Sequence, residues 1–511
     1  MGDLGVGRLK RIRVSEAHPS RLGSRDEAVG PIPKRIAGNF AYLLGAEVVC
    51  RGASVVATLA LTSRLGASGY GRIEFAFSIV FWLVLIVRDC FETIVTREVA
   101  RHPRITRALV NHVLAVKIAL ASTLFLLVAG VSGLTLADPA DRRLLGLYGL
   151  LLITTSLGID FVFRGTERMR LVAVSLCVRT GLYCAGVFLC VRDPSQVGRV
   201  PLLLVGGEAV GIALVWWYYS KEYGLPRPQF RRRFLNVVLK RGRAAALIQL
   251  SQAVLVTVDL LIVGLLSNWS DVGRYGAPHR MVAAAMGFGL IFQHVVFPSI
   301  SRGWRKPNEE GRRLLETAVR VLMLGYVPLA VGATALSGPL VALLLPAGFR
   351  DSDVLLAVGV WKAPLFSLAF LYQSALIALN RESAGLRLLL AGAAASLPLI
   401  ALGYACLGLV GAAYAVLALG VTLAATGYLA LAREGLAPRR DHHLAIPIVG
   451  SAAMLPVCLG LRGVHVLASV AAGAVVYGLV VAALGGFRGL TLKAGVGVTR
   501  APRLVSSRRG F

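Results

Sequence analysis

Acidic residues are scarce in this chain: 26 aspartates and glutamates stand against 55 lysines and arginines in 511 residues, a formal net charge of +29. Charge of either sign is itself sparse, at 16% of the sequence against 56% hydrophobic residues, which excludes a water-soluble globule of ordinary composition. There is no single basic patch either. The lysines and arginines fall in short clusters between long apolar runs, so the positive excess does not point to nucleic acid. No glycine-rich phosphate loop, HExxH zinc signature or GxSxG elbow occurs, and no nucleotide-binding domain that would power the chain by ATP. The seven cysteines (Cys50, Cys90, Cys177, Cys184, Cys190, Cys406 and Cys458) lie inside apolar segments without the paired spacing of a zinc or redox site. They read as small packing residues. His442 and His443, in a basic stretch, read as a solvated pair. Residues 1–34 lack the apolar core of a cleavable signal and are expected to form a disordered basic tail.

What the chain has in abundance is apolar runs near twenty residues, the length that spans about 30 Å of hydrocarbon. They predict helices at 36–63, 71–97, 107–132, 142–165, 170–191 and 199–221, an N-terminal lobe over 35–221. A basic connector, 222–240, carries Arg231, Arg232 and Arg233. Six more helices follow at 241–266, 273–300, 313–336, 353–380, 385–407 and 409–432, a second lobe over 241–432. Two further helices occupy 433–487, at 444–462 and 464–487, before a basic tail, 488–511. The expected fold class is an all-α membrane protein of about fourteen transmembrane helices.

Charge asymmetry predicts the orientation, because short cytoplasmic loops collect lysine and arginine. Of the 55, 39 fall on the N-terminal side, nine at the opposite loops and helix edges, and seven within helices. Both termini are therefore expected in the cytoplasm, which an even number of helices requires. The two lobes also read as parallel copies. RLGASGYGR, Arg64 to Arg72, stands at the outer end of the first helix pair, and SDVGRYGAPHR, Ser270 to Arg280, at the outer end of the seventh and eighth helices. Gly71-Arg72 and Gly273-Arg274 match at an offset of 202 residues, and internal repeats of this kind are common in transporters.

These strings, with REVAR (Arg97 to Arg101), FPSISR (Phe297 to Arg302) and GLVGAAYAVL (Gly408 to Leu417), resemble the bacterial polysaccharide flippases of the O-antigen and exopolysaccharide type. The resemblance covers roughly residues 35–435. It implies a superfamily shared with multidrug and toxin extruders and lipid II flippases, in which two six-helix lobes form a V around a central cavity. It implies transport rather than enzyme chemistry, in the bacterial inner membrane. The implied substrate is an oligosaccharide on a polyprenyl diphosphate, moved by alternating access for cell-surface polysaccharide synthesis, with polymerase and glycosyltransferases as further partners. No cofactor is expected, and energy would come from an H+ or Na+ gradient, the membrane potential or downstream consumption of product.

An ionised side chain near the bilayer centre costs roughly 2.5–3.5 kcal/mol on insertion scales, so the seven intramembrane cations call for a reading. Lys117 and Arg320 are close enough to helix ends to snorkel to the headgroups. Arg51, Arg88, Arg280 and Lys362 are deeper, on helices that the resemblance places beside the cavity, and would suit a diphosphate headgroup. Arg179 has no clear place in that cavity. Glu47 lies one turn before Arg51 and Glu92 one turn after Arg88, so internal pairing is the alternative for those two. Arg280 and Lys362 have no such neighbour on their own helices. Lys362 and Gln373 share a helical face, as do Gln252 and Asp259; the polar members would contact sugar hydroxyls or a coupling ion, or serve as interhelical glue. Pro364 should kink or loosen its helix. Asp89 and Glu92 are candidates to carry a coupled proton. Two rival functions are an ion-coupled multidrug or metabolite exporter, which predicts an apolar or acidic rather than basic cavity, and a membrane glycosyltransferase or polymerase, which needs a larger exported loop than any seen here.

Overall fold

The computed structural model describes residues 32–303, 309–379, 381–438, 445–463 and 465–486. With no water to satisfy the backbone, a lipid-embedded chain must close its hydrogen bonds within helices or closed barrels. The described residues are helical throughout their regular structure, with no strand. The N-lobe comprises α1 (Ile32–Arg101), α2 (Thr106–Thr135), α3 (Pro139–Ser156), α4 (Asp160–Gly165), α5 (Met169–Cys190) and α6 (Arg199–Tyr223). The C-lobe comprises α7 (Arg232–Leu266), α8 (Trp269–Gly303), α9 (Glu309–Ala335), α10 (Ser337–Leu344), α11 (Asp353–Gly359), α12 (Lys362–Ala378) and α13 (Glu382–Arg433), followed by α14 (Ala445–Leu461) and α15 (Val466–Ala483).

Two helices are too long for one span, and each is broken where a glycine turns the chain. In α1, 70 residues long, Gly66 sits at φ 68°; in α13, 52 residues long, Gly408 sits at φ 62°. That region is open to glycine at little cost. Two other passes are interrupted without reversing, between α3 and α4 and between α11 and α12. Pro364, expected to loosen its helix, lies in the first turn of α12, just after the break. With these breaks taken into account, the described helices make the fourteen passes expected. Nine stretches among the described residues are long and apolar enough to cross a membrane, two of them running through the α3–α4 and α11–α12 breaks and α13 with length for two. Large apolar side chains stand outward where a soluble protein would bury them, including Leu126, Leu189, Leu402 and Leu479.

The helix ends match the sequence expectation closely, with two differences. Half of the expected connector is helix, since α7 begins at Arg232, and the short α10 was not foreseen. The tails at 1–34 and 488–511 lie outside the described residues but for the first turn of α1, as do His442 and His443.

The lobes meet along α1, α7 and α8, most tightly at the end of the bundle marked by Gly66. A Cβ on Gly71 would stand 1.8 Å from the Trp269 carbonyl oxygen, and one on Gly273 would stand 2.0 Å from that of Ala67. Only bare backbones can approach so closely. Aromatic rings close the same seam: Tyr70 meets Phe349 edge-on at 6.5 Å, and Phe75 meets Trp269 at 5.3 Å.

Candidate functional site

Below that seam, α8 turns a row of positions toward the N-lobe. Arg280 crosses the interface and donates to Glu74 Oε1 through Nη2 at 2.7 Å and Nε at 3.1 Å. Tyr70 donates to the same oxygen at 2.6 Å, and the Phe77 ring lies under the guanidinium, 4.8 Å from its centroid. Two turns further along the same face of α8 is Gly287. The Arg51 guanidinium fills the space a side chain would take there, its Cζ 2.2 Å from the position of a Cβ. Arg51 pairs with Glu47 at 3.2 Å, as the one-turn spacing predicts, and its Nε has no partner. Arg88 lies three turns after Phe77 on one face of α1. It donates to Asp89 at 2.8 Å and is half exposed, at 50% of its side chain. Arg51 and Arg280 thus reach across one interlobe surface from opposite lobes, Arg88 pairs further along α1 within the N-lobe, and all three side chains keep part of their surface accessible.

Lys362 does not join them. Its side chain is only 4% exposed, and Nζ donates to Asp259 Oδ2 at 2.8 Å and to the Val256 carbonyl at 2.6 Å. Tyr275 donates to Asp259 at 2.9 Å, and His279 Nδ1 lies 3.3 Å away. No acid lies one turn from Lys362 on its own helix, and the partner it finds, Asp259, is on α7. Gln252 donates through Nε2 to Gln373 Oε1 at 2.8 Å. The two same-face pairs read from the sequence therefore face each other as two rungs between α7 and α12. A cavity of about 20 Å³ borders Asp259, His279 and Lys362, room for about one water.

A second set of charges lies within the N-lobe. Arg179 joins α4 to α6, donating to Asp160 at 2.8 Å and to Glu208 at 2.9 Å. Glu92 pairs not with Arg88 but with Arg164 of α4, at 2.9 Å. Neither Lys117 nor Arg320 snorkels. Lys117, 3% exposed, donates to the Gly158 carbonyl at 2.8 Å, in the break between α3 and α4. Arg320 donates to the Gly485 and Gly486 carbonyls at 3.2 and 2.6 Å, just past the end of α15. Carbonyls left unpaired where helices stop or break attract these cations inward. Sequence reasoning missed Glu74, Asp160, Arg164, Glu208 and His279. Glu74 and Glu208 are legible as acids in apolar runs, a complement that a count of buried cations alone overlooks.

A family model described as "Polysaccharide biosynthesis protein" matches residues 36–304, more than half of the chain. The chain belongs to that family. It is also 23% identical over 257 residues to the probable low-salt glycan biosynthesis flippase Agl15 of Haloferax volcanii, over 50% of this chain and 53% of that protein. The chain thus spans about half the length of the curated relative it matches. Among solved structures it is similar to the lipid II flippase MurJ in an inward closed conformation, with TM-score 0.69 and 12% identity over 86% of this chain and 98% of that one. An inward-facing multidrug resistance transporter of the MATE family gives TM-score 0.57 and 14% identity over 79% and 94% of the two chains. These likenesses establish the fold. The protein is a multi-pass, all-helical membrane protein of the fold shared by MurJ and the MATE transporters.

Proposed function

We propose that the protein is a flippase that moves a polyprenyl-diphosphate-linked oligosaccharide across the bacterial inner membrane by alternating access, for cell-surface polysaccharide synthesis. The observation that carries this reading is the pair of partly accessible arginines, Arg51 and Arg280, on the surface where the lobes face each other, with Arg88 exposed further along α1. Guanidinium groups engage diphosphate oxygens in pairs, and their partners Glu47, Asp89 and Glu74 hold the charges in place until a stronger anion arrives. Membership of a polysaccharide biosynthesis family supports a glycan cargo, and the likeness to a glycan flippase supports its translocation. With both termini in the cytoplasm, the Gly66 end lies outside, and the tightly closed seam there is the outer gate. Lys362, Asp259, Gln252 and Gln373 then brace the C-lobe. Asp89, paired with Arg88, and Glu92, paired with Arg164, are the acids proposed for coupling to an ion gradient.

The test is reconstitution into liposomes and transfer of a fluorescent lipid-linked oligosaccharide. Arg280→Ala and Arg51→Ala should each slow transfer at least tenfold, the scale of one lost charge-assisted contact. Arg170→Ala, an exposed cation that donates to Tyr42, should not. Equal rates in all three, or no transfer of any such lipid by the native protein, would overturn the reading.

A further inference from the structure

At the Gly66 end, away from the interlobe arginines, the N-lobe carries an open pocket of about 840 Å³, within the size range of small-molecule sites. It is walled by the α1 bend (Leu65, Ser68, Gly69, Arg72), the start of α3 and the 194–199 turn that leads into α6. Only nine lysines and arginines occupy this end of the chain, yet Arg72, Arg143 and Arg199 all line this one pocket. Their commitments differ. Arg72 is spent on Asp138 and Asp141, at 3.2 and 3.3 Å. Arg199 donates from Nη1 to the Cys190 carbonyl at 2.8 Å and keeps its remaining donors. Arg143 is exposed and has no hydrogen-bond or ion-pair partner among the described residues.

Gln196 adds donors of the same sense. Its Oε1 accepts from the Arg192 backbone N–H at 2.8 Å, so its amide NH2 is left to donate into the pocket. Ser68 supplies a hydroxyl, while that of Ser195 donates to Asp193. No aromatic side chain lines the space, so a sugar is not recognised there by ring stacking. The Asp141 carboxylate that also lines the space is held by Arg72, so the uncommitted groups are mostly donors, and they match a ligand rich in acceptors and carrying negative charge.

We infer that this pocket binds an acidic saccharide, a sugar segment bearing carboxylate or phosphate, at the face where cargo leaves. The choice of a saccharide rests on the proposed function; the choice of an anion rests on the pocket alone. The bound segment would be the far end of a translocated glycan, retained after its diphosphate has left the interlobe arginines. That gives the protein a preference for charged repeat units that the diphosphate site cannot supply, since every such lipid shares the diphosphate.

The experiment uses the full chain in detergent and soluble probes without lipid, so that it fails or succeeds independently of transfer. Calorimetry would compare a tetrasaccharide of alternating glucuronic acid and N-acetylglucosamine, the neutral tetrasaccharide of N-acetylglucosamine, and inorganic phosphate. The acidic tetrasaccharide should bind, the neutral one at least tenfold more weakly, and Arg143→Gln and Arg199→Gln should each weaken acidic binding roughly tenfold. Arg192→Gln, at the same end but outside the pocket wall, should leave it unchanged. Because Arg143 is exposed and unpaired, its variant should unfold at the native temperature, which separates lost binding from lost fold. Equal affinity for the neutral sugar, phosphate binding as tight as the acidic sugar, or indifference to both pocket variants would overturn the inference. Transfer of lipid-linked glycans with no binding here would sink the pocket and leave the flippase reading standing.

Discussion

Replacing Lys362 by methionine separates a structural cation from a substrate cation. Methionine keeps the aliphatic volume beside Phe366 and removes only the ammonium, leaving Asp259 at 2% side-chain exposure with Tyr275 and His279 as its remaining partners. One oxygen of that carboxylate, Oδ1, has no partner even with the lysine present. Breaking one side of a buried ion pair costs about 3–5 kcal/mol, because the survivor is stranded, whereas replacing both partners by apolar groups is often close to neutral. Lys362→Met and Asp259→Leu should therefore each destabilise by about 3–5 kcal/mol, and the double variant by less than either. The large favourable coupling is the signature of direct contact. Unfolding in detergent, followed by intrinsic fluorescence against denaturant, reads the three stabilities; liposome transfer per folded molecule reads function. Transfer by Lys362→Met should stay within about twofold of native, less than the loss of a single net hydrogen bond would give. A variant of native stability that no longer transports would refute the argument and return Lys362 to the cavity. Additive single costs would refute the pairing itself.

Two further outcomes follow from close approaches at the bundle ends. Gly71→Ala places a methyl 1.8 Å from the Trp269 carbonyl oxygen, and a backbone atom cannot yield as a flexible side chain does. The Gly66 end should be forced open, seen as a longer distance between spin labels at Ser68 and Asp271, with no change if the lobes never meet there. Arg320→Ala removes the donor to the Gly485 and Gly486 carbonyls, a loss of about 1.5–3 kcal/mol for a charged hydrogen bond. Faster hydrogen exchange in α15, with α2 unaffected, is the expected result; uniform exchange across both helices would show that the contact does not anchor the C-terminal helix.

Spans and their ends were legible in the sequence because lipid imposes a length on every helix, and because Gly66 and Gly408 mark the reversals within otherwise continuous apolar runs. Facial patterns were legible too, since Gln252 with Asp259 and Lys362 with Gln373 obey helical spacing. What spacing along one helix cannot show is which faces meet. Neither Lys362 nor Arg280 has an acid one turn away on its own helix, so both read as free. Their partners lie on other helices: Asp259, 103 residues away, and Glu74, 206 residues away. Lys117 and Arg320 illustrate the same limit from the other side. Their depth suggests reach toward headgroups, but the breaks and ends of neighbouring helices present carbonyls that are closer.

The Gly-Arg pair repeated in the two lobes acquires a physical meaning from its contacts. Each glycine gives up its side chain to let α1 and α8 touch, Gly71 against Trp269 and Gly273, and Gly273 against Ala67. Each arginine turns away from that seam to its own lobe. Arg72 holds Asp138 and Asp141, at the start of α3. Arg274 reaches Asp351 at 3.6 Å and the Gly348 carbonyl at 3.3 Å, in the turn before α11. The corresponding helix pairs of the two lobes are clamped by corresponding residues. The glycine allows the lobes to close on each other, and the arginine keeps each lobe rigid as it does so. A closure built on bare backbone contact, with few bonds to break across it, can open again, as the proposed alternating access requires. Arg280 and Glu74 supply the one ion pair described across this seam, and it sits at the inner edge, where an incoming anion would compete for it. Closure at the Gly66 end and occupancy of the interlobe arginines are thereby placed in one physical equilibrium.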